Sequence, residues 1–260
     1  MFPINGNDWI TYIQAAEPNN ENPCWVDIVG DMQYPAAYYY LYPTPNPNPA
    51  EVAFRMRLNG DPLSNSPNVY KLKELVWGVV IRHQTNTVLF TILINASGNN
   101  YNLQVKDSSS TLIYDVPITL NSPFQPTDNV RVVDAGAHFP CLNPMIPDAD
   151  YFLDFTLPTS IFAGLNFVSS TYRLCYFTST QDDVINKEFV CGMIITPPVG
   201  SPVLCVTKKI ISGPTTVCAD DMRSWVLLIT MYNCGTVPVN NVVMTDTLNN
   251  SIVLTAPPIF

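Results

Sequence analysis

Residues 225 to 248 read WVLLITMYNCGTVPVNNVVMTDTL. Trp225 to Tyr232 is an apolar run with the length and composition of a buried strand. Asn233-Cys234-Gly235-Thr236 is a turn, because Asn and Gly tolerate positive φ. Val237 to Leu248 then alternates apolar and polar side chains, the period of a half-buried strand. The rest of the chain repeats this rhythm. Turn formers are plentiful (11 Gly and 24 Pro), and no long helical period occurs. The fold class that follows is all-β.

At 260 residues the chain has room for two modest domains. It is 47% hydrophobic and only 13% charged, which excludes disorder by composition. The net charge of −9 leaves nothing to neutralise phosphates, so nucleic acid is not an expected partner. No apolar run reaches the roughly 18 residues of a membrane span. Met1 to Asp8 has neither a basic region nor an apolar core, so it does not read as a signal peptide. Sheets usually guard their edges with charge. Low charge density in a β-rich chain therefore points to surface buried against other subunits. The plainer alternative is an ordinary secreted sandwich.

Residues 1–23 read as a polar, Pro- and Asn-rich N-terminal arm, whose one strand-like part, Asp8 to Ile13, is either a first strand or an extended arm. Cys24 to Asp31 and Ala36 to Leu41 read as strands, and Glu51 to Leu58 alternates cleanly. Leu75 to Ile81 and Thr87 to Ile94 form a hairpin about Arg82-His83-Gln84-Thr85-Asn86. Asn102 to Lys106 and Thr111 to Tyr114 form the next. Asn129 to Ala135, Tyr151 to Phe155 and Thr171 to Thr178 add strands, with a short helix expected near Thr159 to Leu165. The expected division is an arm at 1–23, a jelly-roll-like β-sandwich at 24–195, a Pro-rich linker at 196–202, and a second β domain at 203–260.

Two resemblances sharpen this. Tyr232 to Pro238 and Asn241 to Leu248 resemble the turn and following strand of the conserved-repeat domain of bacterial and archaeal surface proteins, an immunoglobulin-like sandwich. Cys234 stands where that family usually has Thr. The family domain continues for several strands beyond this motif, so a short, incomplete immunoglobulin-like unit is expected here. Val52 to Leu63, Val76 to Gly98, Val130 to Gly136, Asp150 to Ser160 and Arg173 to Thr180, in that order, resemble a carbohydrate-binding-module-nine-like sandwich of bacterial surface proteins. Where those relatives carry an acidic, calcium-friendly turn, this chain has Arg82 to Asn86 with no carboxylate.

The seven Cys carry the strongest chemistry. An odd number leaves at least one without a partner in its own chain. Cys175 and Cys191 lie on neighbouring strand candidates and are the intradomain pair. Cys24, Cys218 and Cys234 are the candidates for disulfides between subunits. Seven buried thiols in a reduced protein is the alternative. His138 and Cys141 make half a metal site at best. Asp148, Asp150 and Asp154 are candidate calcium ligands, weighed against a solvated acidic turn, and no metal or other cofactor is expected. No phosphate loop, nucleophile elbow or His-Glu metal helix occurs, so an enzyme is not expected. Trp9, Trp25, Trp77, Tyr38 to Tyr40 and Tyr42 could form a sugar platform or fill a core.

The reading these features support is a structural subunit. It assembles with copies of itself, and with other surface or spore-coat proteins, into an extracellular filament or spore appendage. The connector would be an assembly arm, Trp9, Ile10, Tyr12 and Ile13, adding a strand to a neighbour's sheet; Ser251 to Phe260 as the swapped strand is the rival connector. A carbohydrate-binding surface adhesin is the other reading. Cys-rich and without a signal peptide, such a chain suits a spore surface oxidised after lysis of the mother cell.

Overall fold

The computed structural model describes residues 2, 8–16, 23–42, 48–64, 70–141, 149–196, 204–212, 226–233, 244–248 and 252–256. The chain is all-β and divides into two compact units, Met1–Thr196 and Pro197–Phe260.

The first unit packs two antiparallel sheets face to face. One has five strands in the order β1 (Ile10–Ile13), β2 (Ala37–Tyr42), β3 (Glu51–Leu58), β9 (Asp150–Pro158) and β8 (Val130–Gly136). The other has six. Its order is β11 (Phe189–Cys191), β10 (Tyr172–Ser179), β4 (Val76–His83), β5 (Val88–Asn95), β6 (Asn102–Asp107) and β7 (Leu112–Pro117). The pairings β3 with β9 and β4 with β10 join segments far apart in sequence, so the two sheets close around long-range contacts.

Alternation decides which side chains fill the space between the sheets. In β3, Val52, Phe54, Met56 and Leu58 enter the main core. In β4, Trp77, Val79 and Ile81 do so, and in β5 Phe90, Ile92 and Ile94. Phe54 lies 5.3 Å from Phe155 and 6.4 Å from Tyr176, ring centre to ring centre, which brings residues of both sheets into contact. The polar tips of buried aromatics are satisfied, as burial requires. Trp77 Nε1 donates to the Trp25 carbonyl at 3.2 Å, and the Tyr176 hydroxyl to the Tyr38 carbonyl at 2.6 Å.

The six-stranded sheet is apolar on its outer face as well. Val76, Val80, Leu93, Cys175 and Phe177 form a second buried cluster there. Gly78 makes it possible. A Cβ at that position would lie 2.1 Å from the Ile92 carbonyl oxygen and 2.7 Å from the Phe177 ring.

Several expectations are corrected. Cys24 to Asp31 is not a strand: Cys24–Val26 is a 3-10 turn, followed by a single bridge from Ile28 to Leu58. Val26, Asp27, Ile28 and Val29 are all buried. Cys24, expected to face another subunit, is instead bonded to Cys141 across a separation of 117 residues. Cys175 is bonded to Cys191, its register partner on the next strand. By loop-closure reasoning a crosslink of the second span, 16 residues, contributes about 3 kcal/mol, and the longer one somewhat more. Of the two readings of Asp8 to Ile13, the first strand is the one observed: β1 is the edge strand of the five-stranded sheet. The short helix expected after Pro158 is a 3-10 turn, Thr159–Ile161.

In the second unit β12 (Leu204–Ser212) pairs with β13 (Val226–Asn233), and β14 (Met244–Leu248) with β15 (Ile252–Ala256), as two separate two-stranded antiparallel sheets. The two strands of the Trp225 to Leu248 stretch therefore pair outward, with different partners, rather than with each other. Cys218, Cys234 and linker residues 197–202 lie outside the described residues.

Gly78→Ala should lower the stability of the first unit by about 2 kcal/mol through overpacking. Thermal melting followed by circular dichroism should show a fall of roughly 4–8 °C.

Candidate functional site

The outer face of the five-stranded sheet is where charge gathers. Alternation turns Arg55 and Arg57 of β3 outward, opposite their buried apolar neighbours. On β9, Asp154 is the register partner of Arg55, and on β8 Arg131 is the partner of Asp154. One carboxylate thus lies between two guanidiniums. Arg55 Nε donates to Asp154 Oδ1 at 2.7 Å and its Nη2 to Oδ2 at 2.8 Å. Arg131 Nε and Nη2 both donate to Oδ2, at 2.9 and 2.6 Å. Asp154 is fully buried and Arg55 is 8% exposed, so these are desolvated ion pairs.

Aromatic rings seal the guanidinium faces. Arg55 lies between Trp9, 4.4 Å from its ring centre, and Phe152, at 4.3 Å. Arg57 lies 4.4 Å from Phe152 and 5.7 Å from Tyr34. Arg131 lies under Phe2 at 4.7 Å and Phe124 at 5.4 Å. A cation shielded from water by π faces gains more than an exposed one. Asp150 is buried beside Arg57, whose Nη1 donates to its Oδ2 at 3.4 Å. Burial pushes the Asp150 carboxyl above its usual range, opposed in part by Arg57.

The four arm residues meet this face and the sandwich edge together. Trp9 covers Arg55 and packs on Tyr40. Ile13 enters the core, and Ile10 remains 43% exposed. The Tyr12 hydroxyl reaches from one sheet to the other. It donates to the Met193 carbonyl and accepts from Leu174 N at 2.9 Å. Burial raises its pKa to about 12. The site is therefore a socket, lined by stacked arginines and closed by an N-terminal strand.

The residues weighed as calcium ligands are otherwise employed, since Asp150 and Asp154 pair with arginine; Asp148 lies outside the described residues. Among the described residues no group of three or more His, Cys, Asp or Glu could hold a metal ion. Cys141 is in a disulfide, and His138 stacks on Tyr34 at 3.7 Å. Of the rings weighed as a sugar platform, Trp9 and Tyr40 pack together, Tyr38 meets Phe152 edge-on, and Trp77 is wholly buried. Sequence reasoning passed over Arg55, Arg131 and Phe2. The available signal was two arginines at alternate positions of an otherwise apolar strand, with Asp150 and Asp154 sharing one parity. No family model, curated protein or solved structure matches the chain.

Asp154→Asn leaves two largely buried guanidiniums without a counter-charge, and should cost about 3–5 kcal/mol. Calorimetry should show the transition lowered by roughly 10 °C. Tyr12 supplies a pH test. A folded pKa raised from 10 to about 12 means its stabilising effect is complete below pH 10 and is lost as pH rises toward 12. Urea titrations at pH 9 to 12 should show a shallower loss of stability in Tyr12→Phe than in the parent chain.

Proposed function

We propose that this chain is a structural subunit that assembles with copies of itself into an extracellular filament or spore appendage. The connector is the N-terminal strand, exchanged between subunits. The observation that carries this reading is the socket. β1 is an edge strand, and its docking is concentrated in three fitted side chains, Trp9 on Arg55, Tyr12 across the two sheets, and Ile13 in the core. A neighbour's arm would make the same contacts. Residues 14–22 connect β1 to the Cys24 turn. Gln14 and Ala16 are hydrogen-bonded to Ala36 and Gly30 along with the arm, and the six residues 17–22 that remain span up to about 20 Å when extended.

Two further features support the reading. The disulfides fit an oxidising setting outside the cytosol. Four of the seven Cys are used by them, which leaves Cys205, Cys218 and Cys234. Three thiols cannot all pair within one chain, and bonds between subunits would lock an assembly against dissociation. No helix among the described residues is long and apolar enough to cross a membrane. Other surface or spore-coat proteins are further partners under this reading.

The register of β1 on β2 provides the test, because Ile10 lies opposite Tyr39. In an Ile10→Cys/Tyr39→Cys variant, assembled under oxidising conditions, exchange should give a ladder of covalent multimers on a non-reducing denaturing gel. The ladder should exceed whatever the parent chain and each single variant give. Assembled fibres that add nothing to the parent pattern would place the strand on its own chain and overturn exchange.

A further inference from the structure

We infer that the two outer edges of the six-stranded sheet are complementary docking surfaces for a second copy of this chain, with the Arg82–Arg173 pair beside β11 receiving the Asp115 carboxylate of β7. This deepens the assembly reading and rests on it, but it concerns a different surface from the exchanged arm.

The arginines come first. Arg82 and Arg173 are direct register partners across β4 and β10. They share the parity of Val80, Cys175 and Phe177, so both stand on the outer face of the sheet. Like charges placed opposite each other repel. Nothing among the described residues relieves this pair. Among the described residues no carboxylate lies within ion-pair distance of either, in a chain with 21 acidic and 12 basic residues. The Nε of each is buried without a hydrogen-bond partner. The Arg82 guanidinium reaches only Asn86, at 3.2 and 3.3 Å, and lies 5.3 Å from the Phe189 ring. Both side chains are only partly buried, so an arriving carboxylate can reach the guanidiniums and offset the repulsion between them.

The surroundings select a protein partner. From Phe189 to Ile195 the edge reads FVCGMII, without one charge. Phe189, Met193 and Ile194 are exposed, Met193 by 83%. An unguarded edge is association-prone, and Arg, Met and aromatic side chains are the composition of an interface centre.

The opposite edge of the same sheet supplies the complement. On β7, Leu112 and Ile113 are exposed, by 45% and 41%, and Asp115 beside them is exposed as well. Asn102 Nδ2 and Gln104 Nε2 donate to Asp115 at 2.8 and 3.1 Å, both to Oδ1. Those bonds fix the carboxylate, and Oδ2 receives none from the described residues. Apolar surface thus meets apolar surface, and two cations meet an anion. Because the two edges differ, the contact is heterologous and propagates rather than closing as a dimer.

The test uses the full chain, followed by sedimentation velocity and negative-stain microscopy. The parent should assemble, and raising salt from 50 to 500 mM should weaken assembly. Arg82→Asp/Arg173→Asp should raise the concentration needed for assembly at least tenfold, with melting unchanged. Asp115→Arg alone should do the same. The triple variant, carrying all three reversals in one chain, should recover assembly. If the arginine double variant does not fold, Arg82→Gln/Arg173→Gln replaces it, with the same increase expected. A parent that assembles while either charge variant assembles equally well overturns the edge contact and leaves strand exchange standing. Failure of the triple variant to improve on the double overturns it too. A parent that stays monomeric at all concentrations, or whose arginines instead bind an acidic polysaccharide such as polygalacturonate, overturns both.

Discussion

Everything on the five-stranded sheet is arranged around one buried carboxylate. Asp154 takes four hydrogen bonds from Arg55 and Arg131, which reach it from the strands on either side. Burying ions is expensive, and the attraction between them repays the cost only when every donor and acceptor is matched. That condition fixes register. A slip of one residue in β3 or β9 would carry the charges into the core and the core residues Phe54 and Phe155 out to the opposite face. The ion triad adds little net stability beyond what apolar side chains in its place would give, but it penalises every alternative pairing of the three strands.

The guanidiniums in turn demand a cover. Their hydrogen-bonding edges are occupied by Asp154, while their flat faces are apolar enough to need shelter from water. Phe152 supplies one surface from within the sheet. Trp9 and Phe2 supply others from the N-terminal segment. This is why a strand of four residues docks firmly at a sheet edge, where a short strand would ordinarily fray. The arm is held by ring-on-cation contacts and by the Tyr12 hydroxyl, and only secondarily by its ladder with β2.

Much of this architecture was legible in the residues. The alternation of Glu51 to Leu58 and the hairpin about residues 82–86 read as strands close to those observed, because strand-length runs bounded by turn residues carry that signal even where both faces are buried. The same logic failed at Cys24 to Asp31. There the backbone takes a 3-10 turn over Cys24–Val26, which the alternation does not encode. The pairing of Cys24 with Cys141 depends on a loop after β8 folding back over the sandwich, a long-range fact that spacing does not encode. The socket was half visible. The four arm residues were marked by their strand pattern, but their partners Arg55, Phe152 and Asp154 lie 40 to 150 residues away. Asp150 and Asp154 show the limit plainly: their spacing leaves a calcium site and a solvated acidic turn to be weighed, and arginines on the neighbouring strands pair with them instead.

The socket accepts a neighbour's arm as readily as its own. The contacts made by Trp9, Tyr12 and Ile13 are the same in both arrangements, so they cancel. What differs is the connection. A short tether presents its own arm at an effective concentration on the order of millimolar, and at lower protein concentrations the closed subunit wins. Exchange therefore needs a second contact that exists only between subunits. On the proposed assembly, the unguarded β11 edge, with its unsatisfied arginines, and the β7 edge, with its fixed carboxylate, would supply such a contact. Their geometry is heterologous, as that of the arm is, so the two can act in the same growing direction. Neither has to be strong. Two contacts of modest affinity, made together along one line of subunits, bind with the product of their strengths divided by a single cost of association. A fibre built this way starts reluctantly, because the first pair of subunits must open before it can gain, and then grows steadily at its ends.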